Sequence, residues 1–448
     1  MRVPITVLAV VLTAWVWACR SASAGEGNDA GRPAAPSGGT PREAFSIELE
    51  MDFPMHKVLL GDSGSPVVTC NGSIYAAWID DELRTMIAKK SPDGTVATSV
   101  VFPRTIEDMY HVGPSIGIDR DGYIHLAGNM HNSPDGLRDF VPVKSAWQYV
   151  VSDRPEDISS FTFLGDDPDR SPPGRSITYP FFASDNAGEL YLSFRHRVKY
   201  GTGWSPGIMA GAVARYDTEG KRWGMLGGTD YVHGEKTLFW TAKPGGGTAY
   251  QSFRTRIFFD RRNRMHLVAI LLDRGGSYQG THVAYACSDD GGQTLHRADG
   301  SRHESLPITL QNADIVIGPP WVSTPRLYSK AEVGVTPDGL PLVSFIKERD
   351  GTYISRWAPH WGWSEPGPWA GLYFVTDPQG IITLPTGGSL RRSFDGGKTW
   401  QSYEAQTGRP RVCLVDQRYL AATGRVRFRT LGDGRFRVWT ASFDRGAD

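Results

Sequence analysis

The chain has no excess of either charge: 48 Lys and Arg stand against 48 Asp and Glu in 448 residues. Without a global field, nucleic-acid binding and polybasic membrane docking lose their usual support. Cysteine is scarce, with four in all and no Cys-x-x-Cys pair. Cys19 falls in a segment expected to be removed, which leaves Cys70, Cys287 and Cys413. An odd set without metal-ligand spacing argues against a disulfide framework or a structural zinc site, and buried apolar thiols are expected instead. Long helical periodicity is nearly absent. Beyond the N-terminus, no stretch approaches the roughly 20 apolar residues of a membrane-spanning helix.

The first residues read as a processing signal. Arg2 precedes an apolar run from Ile5 to Ala18, and Ala22-Ser23-Ala24 ends it in a small-x-small pattern. Residues 1–24 are therefore expected to be a signal peptide, and the protein secreted or periplasmic. A rival reading is lipidation of Cys19, because Val16-Trp17-Ala18-Cys19 loosely resembles a lipobox. Residues 25–42, rich in Gly, Pro, Ala and Ser, read as a flexible linker. Residues 43–448 are long enough for two average domains or one large all-β domain.

A recurring turn followed by an apolar strand fixes the expected architecture. The turns are Asn71-Gly72, Asp121-Gly122, Ala187-Gly188, Arg262-Asn263, Asp338-Gly339, Gln379-Gly380 and Asp433-Gly434, each leading into a run such as Ile74-Tyr75-Ala76-Ala77-Trp78. Gly or Asn accepts the positive φ that a tight hairpin needs. Successive turns lie 41 to 76 residues apart, and a four-stranded blade takes roughly 40–50 residues. An all-β, seven-bladed β-propeller is the fold predicted. Ser393-Phe394-Asp395-Gly396-Gly397-Lys398-Thr399-Trp400 and Ser288-Asp289-Asp290-Gly291-Gly292-Gln293-Thr294-Leu295 resemble the Asp-box of sialidase-like propellers, a structural motif that supports the fold and says little about reaction.

Propeller ligands bind where loops from several blades converge. His111 and Tyr179 occupy matching places before successive turns, eleven residues before Gly122 and nine before Gly188. His131 and Arg195 match as well, each just past the strand that follows a turn. These residue types suit β-elimination from a uronic acid. Arg195 would neutralise the carboxylate and stabilise the enolate-like state. A His or an ionised Tyr would take the proton, and a neighbouring acid would protonate the leaving oxygen. His125 and His266, inside apolar strands, read as packing residues.

The segments Tyr110-His111-Val112-Gly113-Pro114-Ser115, Gly128-Asn129-Met130-His131, Thr178-Tyr179-Pro180 and Ser193-Phe194-Arg195 resemble the seven-bladed polysaccharide lyases that act on ulvan, and related lyases that split rhamnose from glucuronate. The resemblance implies that His111 and Tyr179 form the acid/base pair. It further implies that His131 assists or holds the carboxylate and that Arg195 neutralises it. Tyr250, Arg254 and Arg256 look like further substrate contacts, on a weaker match. The implied partner is an acidic polysaccharide, met by a monomer. Elimination by these residues needs no cofactor and no metal. Such propellers can hold a structural Ca2+ in the channel, although no acidic loop with calcium-ligand spacing is visible.

Two other classes remain open. A glycoside hydrolase, sialidase- or rhamnosidase-like, would need paired carboxylates or a Tyr nucleophile. Phe102-Pro103-Arg104-Thr105 only scrambles the sialidase Phe/Tyr-Arg-Ile-Pro signature. A non-catalytic carbohydrate-binding propeller would use the aromatic residues but has less need of paired histidines with Tyr and Arg.

Overall fold

Strands here are short and apolar on both faces. Ser73–Ile79, for example, is buried along its whole length. A strand of that kind needs a layer on each side, and neighbouring sheets packed face to face supply both. In the computed structural model the residues described are 44–56, 64–65, 67–104, 113–130, 147–174, 177–199, 208–229, 236–239, 249–273, 282–318, 328–347, 351–369, 371–377, 381–383, 389–405 and 413–444. Among them lie seven antiparallel sheets of four or more strands, the blades of a β-propeller.

Blades one to six follow in chain order over residues 67–102, 115–163, 178–225, 249–317, 328–368 and 374–404. Their innermost strands are Val67–Cys70, Ser115–Ile118, Thr178–Ser184, Ala249–Phe259, Tyr328–Val335 and Phe374–Thr376. From the first blade to the sixth, each of these strands touches the next. The seventh blade is composite. Cys413–Val415, Val426–Gly432 and Arg435–Asp444 supply three strands, and Ala44–Pro54 pairs with the last of them as the outermost strand. This pairing closes the ring.

The core is divided into wedges. Among the described residues seven buried apolar clusters each join two adjacent blades, including one between blades seven and one built on Trp78, Phe436 and Val438. The wedge between blades two and three is the most aromatic, with Trp147, Phe182, Phe194, Tyr216 and Trp223.

Six of the turns read from the sequence join first and second strands, although Gln379-Gly380 itself lies outside the described residues. The seventh, Asp433-Gly434, joins the second and third strands of its blade instead. The first-to-second connection of that blade is a short helix, α1 (Gln417–Thr423). Its N-cap, Asp416, stands where Asp119, Asp185 and Asp260 stand in other blades, just past the innermost strand. The carboxylates of Asp119, Asp185 and Asp260 each accept N–H groups two and four residues on, which fixes the turn.

Both Asp-boxes take the expected form. Asp290 accepts from Thr294 and Ser288, and Asp395 from Thr399 and Ser393. Cys70 and Cys287 are free, buried thiols; the side chain of Cys413 lies outside the description. Among the described residues no helix is long and apolar enough to cross a membrane.

Candidate functional site

Strand direction sorts the functional candidates onto one face. In blades two to four the innermost strand starts, and the second strand ends, on the face opposite the turns described above. Tyr179 lies at the start of Thr178–Ser184, and Arg195 pairs across to Thr178. His111 and His131 lie outside the described residues, but their flanks belong to the same face of blade two. Ser115 pairs with Ala127, and one step outward Pro114 and Gly128 meet backbone to backbone. A Cβ placed on Gly128 would fall 2.8 Å from Pro114 Cα. Only glycine allows that approach.

Tyr179 and Arg195 come together in blade three. The Arg195 guanidinium carbon lies 4.8 Å from the centroid of the Tyr179 ring, a cation–π contact between two nearly buried side chains. The local sequence explains the geometry. Pro180 has no N–H to give the ladder, and the register slips between Thr178 and Phe181. Tyr179 takes up the slip with φ 60°, in the left-handed region that non-glycine residues avoid. Backbone strain of this kind is retained where surrounding structure enforces it, often at functional sites.

Two links that the sequence does not announce carry this geometry across blades. Ser115 Oγ accepts the Phe182 N–H at 3.0 Å, joining the innermost strands of blades two and three. Ser193 Oγ donates to the Thr255 carbonyl at 2.7 Å, joining blade three to blade four. Asn129, beside Gly128, also adopts a positive φ of 54°, and its amide donates to the Arg104 carbonyl. A small hydroxyl next to an apolar strand is the only sequence signal for such links, and it is weak.

The third predicted group divides. Tyr250 and Arg254 lie on the innermost strand of blade four, with only their backbone described. Arg256 on the same strand is buried and forms an ion pair with Glu332 of blade five. Its guanidinium also stacks on Phe181, 4.7 Å from that ring's centroid. Arg256 thus has an acidic partner inside the protein and braces blades three, four and five beside Arg195.

His125 and His266 repeat one another, as packing residues at the same position in blades two and four. His125 bonds the Tyr149 hydroxyl at 2.6 Å and faces Asp119; His266 bonds the Tyr285 hydroxyl at 2.7 Å and faces Asp260. Burial pushes both imidazole pKa values down, against the pull of the facing carboxylates. Among the described residues no group of three His, Cys, Asp or Glu is placed to hold a metal ion.

Comparison with solved structures agrees with this architecture. The polysaccharide lyase Uly1 superposes with a TM-score of 0.64 at 14% identity, over 86% of this chain and 90% of that one. A PL25 ulvan lyase, solved with a bound glucuronate–rhamnose sulfate saccharide, superposes with a TM-score of 0.55 at 16% identity, over 79% of this chain and 86% of that one. No curated protein matches the chain. Residues 73–369 match the model of the BNR repeat-containing family. With about two thirds of its length inside that match and a ring of blades to account for it, the chain belongs to the BNR repeat-containing family.

Proposed function

We propose that the protein is a polysaccharide lyase that cleaves an acidic, uronate-containing polysaccharide of the ulvan or rhamnose–glucuronate type by β-elimination. The observation that carries the reading is the Arg195–Tyr179 pair, held at a strained turn on the face where the flanks of His111 and His131 also meet. Solved structures of similar fold include a polysaccharide lyase and an ulvan lyase, which supports the same reading.

In this mechanism Arg195 binds the uronate carboxylate and offsets the charge that builds as the proton beside it is lost. Tyr179 and His111 divide the proton transfers. One removes the proton at C5, whose electrons form the double bond to C4. The other protonates the glycosidic oxygen as its bond to C4 breaks. His131 helps to hold the carboxylate, and Tyr250 and Arg254 extend the contact along the chain. Arg256, already matched by Glu332, is assigned to bracing the neighbouring strands. Action on a large polymer fits the secretion signal read from residues 1–24.

The test is incubation of the protein with a panel of uronate polysaccharides while ultraviolet absorbance and reducing ends are followed together. Elimination raises both. Reducing ends without the absorbance of an unsaturated uronate would mean hydrolysis, and binding without either product would mean a lectin.

A further inference from the structure

The opposite face of the ring carries a cavity of about 540 Å³, within the range of small-molecule sites, roughly 300–1,000 Å³. It opens among the first-to-second connections of blades three to seven, and helix α1 forms one wall. Along Thr178–Ser184 this end lies roughly 20 Å from Tyr179 at strand rise. It is a separate site.

Its floor is apolar, with Phe258, Val335 and Leu420. Its rim is cationic, with Arg261, Arg262 and Arg418. Two carboxylates also face it, but both are engaged. Asp377 is paired with Arg392 at 2.7 Å, and Asp260 accepts the N–H groups of Arg262 and Arg264 and faces His266. Arg418 is the pivotal group. Its guanidinium reaches from α1 to the Gly188 turn of blade three, and its Nη1 is buried with no hydrogen-bond partner among the described residues. Arg418 lines the cavity, where its guanidinium offers an entering oxyanion charge-assisted hydrogen bonds. Gln417, beside it on the wall, offers a carboxamide that can donate to or accept from hydroxyls.

We propose that this cavity is a second ligand site, taking a sugar acid whose carboxylate meets Arg418, whose hydroxyls meet Gln417, and whose ring rests on the apolar floor. The proposal goes beyond cleavage on the other face and does not depend on it.

The probe is free glucuronate, titrated by calorimetry into the full-length protein, with glucose and inorganic sulfate as controls. An Arg195→Gln background removes the contribution of the other face. Glucuronate should bind the Arg195→Gln protein with a Kd of about 1 mM or tighter. Arg418→Gln in that background should weaken binding at least tenfold, and Ala421→Trp, which fills the rim from an exposed helix position, should abolish it. Unfolding midpoints verify that each variant is folded, and if Arg418→Gln is not, Ala421→Trp decides. Glucuronate binding that ignores both substitutions, or no binding at all, would overturn the proposal. Equal binding of glucose would remove the role of charge. Equally tight, Arg418-dependent binding of sulfate would reduce the site to one for simple oxyanions.

Discussion

Pro114 and Gly128 touch backbone to backbone, with no room between them for a methyl group. The contact sets the separation of the two segments that lead to His111 and His131. Gly128→Ala should therefore force the segments apart and lower lyase turnover by about 100-fold, since a displacement of 1 Å at a reacting group can cost that much. The blade itself is held by the Ser115–Ala127 pairing and should stay folded. Turnover and thermal unfolding measured on one preparation check this. Wild-type turnover in a folded Gly128→Ala protein would mean that the two loops do not work together.

Tyr179→Phe removes one hydroxyl and leaves the ring that Arg195 stacks upon. Stability should change by less than about 1 kcal/mol, while turnover should fall by about 100-fold or more, the usual worth of a positioned acid or base. Arg195→Lys keeps the charge but loses the planar guanidinium, and a comparable fall is expected. The readout is the initial rate of absorbance increase on a uronate polymer. Full activity in either variant removes that residue from the mechanism.

Buried imidazoles give the stability a defined pH dependence. Burial, with Arg297 adding to it, pushes His303 down to about 4 from an ordinary 6.5. The sign follows directly: the unfolded chain takes up the proton first, so stability is complete above about 6.5 and is lost as pH falls toward about 4. His125 and His266 shift in the same direction. Urea unfolding across this window should show the decline, and His303→Gln should make it shallower. An identical slope in the variant would assign the effect to other groups.

Asp416 joins the closing blade to the first. Its carboxylate accepts the Thr69 hydroxyl at 2.5 Å and the Tyr419 N–H at 3.0 Å, which caps α1. Asp416→Ala loses both bonds and leaves the half-buried Thr69 hydroxyl without this acceptor, a cost of about 2 kcal/mol. Asp416→Asn keeps one carbonyl oxygen, an acceptor for the Tyr419 N–H or the Thr69 hydroxyl but not for both, and should cost less. Denaturant midpoints of the two variants give the comparison, and equal costs would show that the cap does not matter.

Much of the architecture could be read directly because the propeller repeats one simple device. A turn residue with positive φ, followed by an apolar strand, recurs in six of the seven blades among the described residues, and both Asp-boxes form as read. The seventh turn misled by one strand. Asp433-Gly434 has the same local chemistry as the others, and only tertiary pairing shows that α1 has taken over the first connection. Tyr179 and Arg195 could be paired in advance because equivalent positions in a repeat point the same way. The positive φ of Tyr179 could not, since a residue before proline ordinarily stays extended. Arg256 read as a substrate contact through the weaker part of the resemblance to the lyases; its partner Glu332 lies 76 residues away on another blade. Short-range pattern does not register such a pair.

The outermost strand of the closing blade has a consequence for how the chain is made. Ala44–Pro54 is made before six whole blades, and its partner Arg435–Asp444 only after them. Until then the early strand keeps its backbone groups unpaired, and the wedge between blades seven and one stands open. Each nascent molecule must therefore keep this edge from joining the wrong neighbour until the partner strand arrives. Completion is all-or-none at the last blade, and a chain cut short of it would be left with an exposed, adhesive seam.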